Sequence, residues 1–183
     1  MHITKSLFKE FAECPKLARR HINDKKVYEY INEQLYGGMD AIAIGQEVED
    51  MVARLWDSEK IMEVDIPERG SNDRHNSYRK LTMEVIDQKP EIVYQPWLAI
   101  DNLFIKADFL KLNEDWKYDL IEVKSKNNIR KKTKAEPLLP ELVYDVSFQD
   151  YVLKKTLWDL YSGKTYIYHV NKEYVKNGDI VPE

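Results

Sequence analysis

The sequence predicts a single α/β or α+β domain over residues 1–183: helices first, then a set of strands, then a helix and a last strand. Three observations predict it. The chain has 183 residues, 43% apolar and 33% charged, an ordinary balance for a globular domain and enough to bury a core. Apolar residues recur at helical spacing through about residues 1–60 and again after Pro140. From Pro90 onward, three segments instead alternate in hydrophobicity and are rich in β-branched and aromatic residues.

Taken in order, "ITKSLFKEFAECPKLARRHI" predicts two short helices. Thr4 or Ser6 caps the first, whose apolar stripe is Leu7, Phe8 and Phe11; Pro15 suits the first position of the second. "KKVYEYINEQLY" predicts a third helix, ending at Gly37-Gly38. Ile44, Val48, Met51, Val52 and Leu55 predict a fourth, from about Met39 to Trp56. A loop over 70–77 and a short helix in "YRKLTMEVIDQ" come next. The strands are "EIVYQPWLAID", "LFIKADFLKLN" and "KYDLIEVKS", the last two joined by a turn in "LNEDWK". Leu142, Val146, Gln149, Val152, Thr156, Leu157 and Leu160 mark a last helix, with Gly163 as its stop, and "KTYIYHVNKEYV" a final strand. The helical part thus spans about 1–60, and the sheet with its helix about 90–175.

Composition excludes several functions. A formal net charge of −4 argues against a surface coated in basic residues for unspecific nucleic-acid binding. A local patch remains: Lys124, Lys126, Arg130, Lys131, Lys132 and Lys134 fall within eleven residues. Such a run is either a solvated loop or a surface for phosphates. The one cysteine, Cys14, allows no internal disulfide and no cysteine-held cluster, and the expectation is a small packed side chain. The histidines have no metal-ligand spacing. No apolar run approaches the ~18 residues of a membrane span, and the opening lacks a signal-peptide pattern. The expectation is a cytoplasmic protein with no membrane partner. The ending "NGDIVPE" fits either a short protein or a piece of a longer chain with a further domain.

The chemistry gathers on two strands. In "FIKADFLKL", Lys106, Asp108 and Leu110 share one face; in "DLIEVKS", Leu120, Glu122 and Lys124 do. Paired as a hairpin, the strands bring Asp108 beside Glu122. Two adjacent carboxylates repel, and one takes up a proton unless a cation lies between them. A hard divalent cation resolves this, held by carboxylates, waters and phosphate oxygens. A lysine on the same face then orients a metal-bound water or steadies charge building on a phosphate. The bland alternative is a half-exposed strand with a solvated Glu-x-Lys pair. Asp145, one turn before Gln149 on the same helix face, either supports the site from behind or is a solvated acid, and the solvated acid is the expectation.

Asp108 followed by "IEVKS", with Glu122 and Lys124, resembles the PD-(D/E)XK nuclease signature. "GQEVE" resembles the helical motif of RecB-type members, in which a glycine precedes a metal-binding histidine or acid by four residues; that position is Glu49, with Glu47 as a substitute candidate for the ligand. "SFQDYVLKK" resembles their glutamine-bearing helix, with Gln149 as the glutamine and Leu153 where a tyrosine is expected. The opening "SLFKEFAECPKLARRH" resembles their short Cys-Pro helix. The resemblance covers nearly all of the chain, and extends to the N-terminal nuclease-like domain of a bacterial family of unknown function. It implies a restriction-endonuclease-like core, a central mixed sheet flanked by helices. It also implies Mg²⁺ or Mn²⁺ held by Glu49, Asp108, Glu122 and the main-chain carbonyl of Val123. Lys124 would assist the attacking water, and Gln149 would orient water or substrate. Relatives with an iron–sulfur cluster use four cysteines, so none is expected here. The substrate implied is DNA, single- or double-stranded, met by Lys126, Arg130, Lys131, Lys132 and Lys134. A competing reading is a module on the same fold that binds nucleic acid or protein without cutting.

Overall fold

A computed structural model describes residues 2–36, 38–56, 60–64, 74–126, 129 and 138–171, without the side chains of 31–42 and 74–76. Arg130, Lys131, Lys132 and Lys134 therefore lie outside the described residues, and Lys126 inside them.

The fold is α/β: six helices and two mixed sheets among the described residues. A two-residue strand β1 (Ile3–Thr4) leads into α1 (Lys5–Glu13), which Thr4 caps by accepting from the Leu7 N–H at 3.3 Å. Pro15 opens α2 (Pro15–Asn23), and α3 (Lys25–Tyr36) and α4 (Gly38–Ala53) follow. Next come β2 (Ile61–Glu63), which the pattern does not announce, and α5 (Arg74–Asp87). α5 begins inside the stretch read from sequence as a loop over 70–77. Residues 65–73 are outside the described residues.

Two of the three expected strands are each broken in two. β3 (Ile92–Tyr94) is separated from β4 (Trp97–Ile100) at Gln95-Pro96, and β5 (Leu103–Lys106) from β6 (Phe109–Leu112) at Ala107-Asp108. The physical reason is a shared corner. Gln95 takes the left-handed φ of 51°, and Pro96 has no N–H to give a ladder. The Gln95 N–H instead donates to the Asp108 carbonyl at 2.8 Å, and Ala107 N–H to that of Pro96 at 3.0 Å. Both segments thus leave one sheet and enter the other at the same point.

β7 (Tyr118–Lys124) is an inner strand, buried along almost its whole length, and β8 (Tyr161–His169) lies parallel to it after α6 (Pro140–Thr156). The five-stranded sheet runs β2-β3-β6-β7-β8 and the three-stranded one β1-β5-β4. α6 ends at Thr156, not at Gly163. Gly163 has φ 79° within β8, where two steps along β7 from Tyr118 to Leu120 match four along β8 from Tyr161 to Thr165. The glycine serves this bulge.

The β6–β7 turn fixes the register. Asn113 Oδ1 accepts from the N–H groups of Asp115 and Lys117 at 3.0 and 3.1 Å, and Phe109 then pairs with Ile121. The sheet is covered on both faces. Leu110, Leu120 and Tyr118 pack with Phe148, Val152 and Leu153 of α6; Phe109, Ile121 and Val123 pack with Val48, Val52 and Trp56 on the α4 side. α1 lies on α6, the Phe8 and Phe148 rings stacked with centroids 5.0 Å apart. Among the described residues, no helix is long and apolar enough to cross a membrane. Cys14 is exposed at the junction of α1 and α2, not packed as expected.

Candidate active site

Extending the Phe109–Ile121 register by one residue sets Asp108 opposite Glu122, as the alternation of the two segments predicts. Both side chains point to the α6 face, and both are buried, 7% and 1% exposed. Asp108 Oδ2 accepts the Val123 N–H at 2.7 Å. In a strand a residue's C=O points to the same side as its N–H, so the Val123 carbonyl is turned toward Asp108 as well.

Glu122 is the hub. Lys124 donates to Oε1, and Gln149 Nε2 to Oε2 at 2.7 Å. α6 supplies the third carboxylate. Asp145, 1% exposed, accepts from Lys124 Nζ at 2.7 Å and from Gln149 Nε2 at 3.0 Å. The expectation of a solvated acid is therefore wrong, and the alternative, an acid that supports the site from behind, matches these contacts. Asp145 lies on the same helix face as Leu142, Gln149 and Val152, and that face is covered by the sheet. With both amide hydrogens of Gln149 spent on carboxylates, its Oε1 is buried without a partner. Reversing the amide would point that oxygen at two carboxylates, so the orientation is dictated by charge.

The sequence reading missed Lys5. From the first turn of α1 its Nζ reaches Glu122 Oε1 and Oε2 at 3.1 and 3.4 Å, Asp108 Oδ1 at 3.7 Å and Asp145 Oδ1 at 3.9 Å. Lys9, one turn on, is 3.7 Å from Asp145 Oδ2. Three carboxylates are thus faced by three ammonium groups, those of Lys5, Lys9 and Lys124.

Glu49 stands beside this cluster rather than in it. Its Oε2 accepts from Gln95 Nε2 at 3.3 Å. Burial raises its pKa; Gln95, Lys106 and Lys5 oppose that, and Glu122 adds to it. Glu47 is exposed. Lys106 has its Nζ 5.6 Å above the Trp97 ring, and burial lowers its pKa against the pull of Glu49 and Asp108. Lys126 is exposed, 3.5 Å from Glu141 Oε1.

The two facing carboxylates titrate apart. Burial and the Glu122 charge push Asp108 up to about 7, against Lys5 and the Val123 N–H. Burial opposes ionisation of Glu122 too, but Lys5, Lys124 and Gln149 outweigh it and hold that carboxyl at about 2. Lys5 and Lys124 are raised: burial works against their charge, and the carboxylates overcome it.

These shifts carry a sign for stability. Asp108 binds its proton more tightly folded than unfolded, so its contribution is present near pH 4 and lost as pH rises toward 7. Glu49, also raised, acts in the same direction. Denaturant titrations of the metal-free protein should show stability falling over that window, at up to about 1.4 kcal/mol per pH unit per group. Asp108→Asn should flatten the slope and leave the part due to Glu49. Equal slopes in both proteins would mean that Asp108 is ionised throughout.

A divalent ion would need oxygen ligands converging on one point. Among the described residues, no three His, Cys, Asp or Glu side chains are gathered closely enough to hold one as they stand. Asp108 and Glu122 nonetheless converge on one cation, the Lys5 ammonium, and the carbonyl of Val123 lies on their side. The donor set is hard oxygen, which suits Mg²⁺ or Mn²⁺. A separate concavity of about 530 Å³ lies on the other sheet face, toward the β6–β7 turn, lined by Lys111, Asp119, Ile121, Lys164 and Tyr166 among others. It holds none of these groups.

No protein-family model matches the chain, and neither does any curated protein sequence.

Proposed function

We propose that this cluster is the active site of a cytoplasmic, Mg²⁺- or Mn²⁺-dependent deoxyribonuclease of the RecB-type PD-(D/E)XK kind, on a restriction-endonuclease-like core. One observation carries the reading: Asp108 and Glu122 are buried opposite each other, converge on a cation, and have Lys124 and Gln149 hydrogen-bonded into the same group. Asp108, Glu122 and the Val123 carbonyl would hold the ion, with Glu49 beside them as the further carboxylate. The ion supplies charge to lower the pKa of a bound water and to polarise a phosphodiester. The chain does the rest. Lys124, fixed between Glu122 and Asp145, presents an ammonium to charge developing on the phosphate. Gln149 holds Glu122 in place, with its own Oε1 left buried as an unused acceptor behind the cluster.

A second reading, a module that binds nucleic acid or protein without cutting, draws on one observation. Three ammonium groups already balance the three carboxylates, so the cluster is satisfied as an ion network. Incubating single- and double-stranded DNA with the pure protein, with and without Mn²⁺, decides between the two. Mn²⁺-dependent cleavage is expected. Intact DNA across metals and strand types would leave the binding module.

The DNA reading extends to the basic segment, which comes directly after β7 and therefore starts at the mouth of the cluster. Phosphate contacts position a strand without reading its sequence. Replacing Arg130, Lys131 and Lys132 together by Ala should weaken binding equally for all sequences. It should also flatten log K against log salt by roughly 0.7–0.9 for each phosphate no longer neutralised. Titrations of labelled DNA in Ca²⁺ at several salt concentrations measure both, and an unaltered slope would make the segment a solvated loop.

A further inference from the structure

We propose that Lys5 is a resident cation of this site: its ammonium occupies the place between Asp108 and Glu122 until a divalent ion arrives, and then withdraws. The inference rests on the metal-dependent reading above and adds to it a competition that sets metal affinity.

The geometry singles out Lys5. Its Nζ lies within 3.9 Å of carboxylates from three places in the chain: Glu122 on β7, Asp108 at the sheet corner and Asp145 on α6. Among the described residues it is the ammonium paired with Asp108. Without it, two buried carboxylates face each other across neighbouring strands with their charges uncompensated on the Asp108 side. Its backbone cannot move freely. Thr4 caps α1, the Ile3 N–H donates to the Asn102 carbonyl at 2.7 Å, and Phe8 is stacked on Phe148. What can move is the four-carbon stem, which ends in a compact ammonium whose donors rotate freely. The side chain is 23% exposed, so part of it already meets solvent.

Lys124 is held differently. It is clamped by Glu122 and Asp145 from two sides, at 2.7 Å or less, whereas the contacts of Lys5 run from 3.1 to 3.9 Å. Shorter charge-assisted bonds are the stronger ones. Of the two lysines on Glu122, Lys5 is the one that yields. A divalent ion takes its oxygens at ~2.0–2.2 Å. Drawn by the same two carboxylates, it meets a positive charge already among them, and the two cations repel at this range in a water-poor site. The arriving ion therefore replaces the ammonium instead of joining it, and part of its binding energy goes to releasing Lys5.

The substitution that tests this is Lys5→Met, which keeps the stem and removes the charge. Mn²⁺ binding to the metal-free protein, measured by calorimetry and by the loss of the free-ion paramagnetic resonance signal, should be about ten-fold tighter in the variant. Lys80→Met, at an exposed lysine paired with Glu84 on α5, should leave it unchanged. Equal Mn²⁺ affinities in wild type and a cooperatively folded Lys5→Met would overturn the proposal while leaving the metal reading intact. No Mn²⁺ binding by either protein would overturn both. Should Lys5→Met not fold, the wild-type protein gives the answer. The acetylation rate of Lys5, followed by mass spectrometry against the exposed Lys80, should rise about ten-fold on Mg²⁺ saturation as the ammonium leaves its carboxylates. An unchanged or slower rate would show that Lys5 stays where it is.

Discussion

Replacing Glu122 by Gln should abolish Mn²⁺-dependent cleavage, by about 10³-fold or more, and cost the fold about 3 kcal/mol. The two effects have one origin. Glu122 is 1% exposed and takes hydrogen bonds from Lys5, Lys124 and Gln149. Glutamine keeps the shape and removes the charge. Lys5 and Lys124 then crowd together over Asp108 and Asp145 alone, and the ligand for the ion is gone. Removing one partner of a buried ion pair is costly because the other stays buried and under-compensated.

The pH dependence of that cost is specific. The Glu122 pKa is held at about 2 when folded, against an ordinary value of 4.5, so its stabilisation is complete above 4.5 and fades as pH falls toward 2. The stability gap between wild type and Glu122→Gln, from urea titrations in EDTA, should therefore close in acid. A gap that is absent at pH 7 would mean that Glu122 contributes nothing as an ion. Wild-type cleavage rates in the variant would remove the site altogether.

How far the sequence carried this site depends on what each residue needed. The Asp108–Glu122 pairing was legible because a short turn joins their strands. The period of two fixes faces, and the Asn113 turn fixes register, so two local rules suffice. The α/β class and most helices were legible from periodicity for the same reason. The break in the strands was less so, although Pro96 in mid-strand was its signal: alternation persists through a corner and does not say which sheet each half joins.

Asp145 had a readable signal, an acid on the apolar stripe of Leu142, Gln149 and Val152. An acid on a helix is usually solvated; what reverses that here is Lys124, supplied from another element. Lys5 had no signal at all. A lysine in the first turn of a short amphipathic helix looks like any surface lysine. Only the packing of α1 on α6, through Phe8 and Phe148, brings it to Glu122 across 117 residues of sequence.

Lys124 tests whether the ion network and the chemistry are separable. Lys124→Met removes an ammonium 2.7 Å from Asp145 and closer still to Glu122, while keeping the stem that covers them. A polar side chain adds little packing, and on that ground alone the fold would be untouched. The geometry predicts otherwise. Asp145 is left with Lys9 and Lys5 at 3.7 and 3.9 Å and the Gln149 amide, so the variant should lose about 2–3 kcal/mol. Cleavage should fall about 10²–10⁴-fold as well. Either loss alone is ambiguous, because an unstable enzyme is also a poor one. Adding Asp145→Leu separates them. The second substitution takes away the charge that Lys124→Met stranded and puts an apolar side chain against Leu142 and the sheet. Stability should return to within about 1 kcal/mol of wild type, a coupling of the size that contacting charges show. Cleavage should not return, since the ammonium facing the phosphate is still missing. If activity recovers along with stability, Lys124 is a structural cation and the catalytic role assigned to it is wrong. If stability does not recover, Asp145 is held by more than Lys124, and the lysines of α1 are what keep it in place.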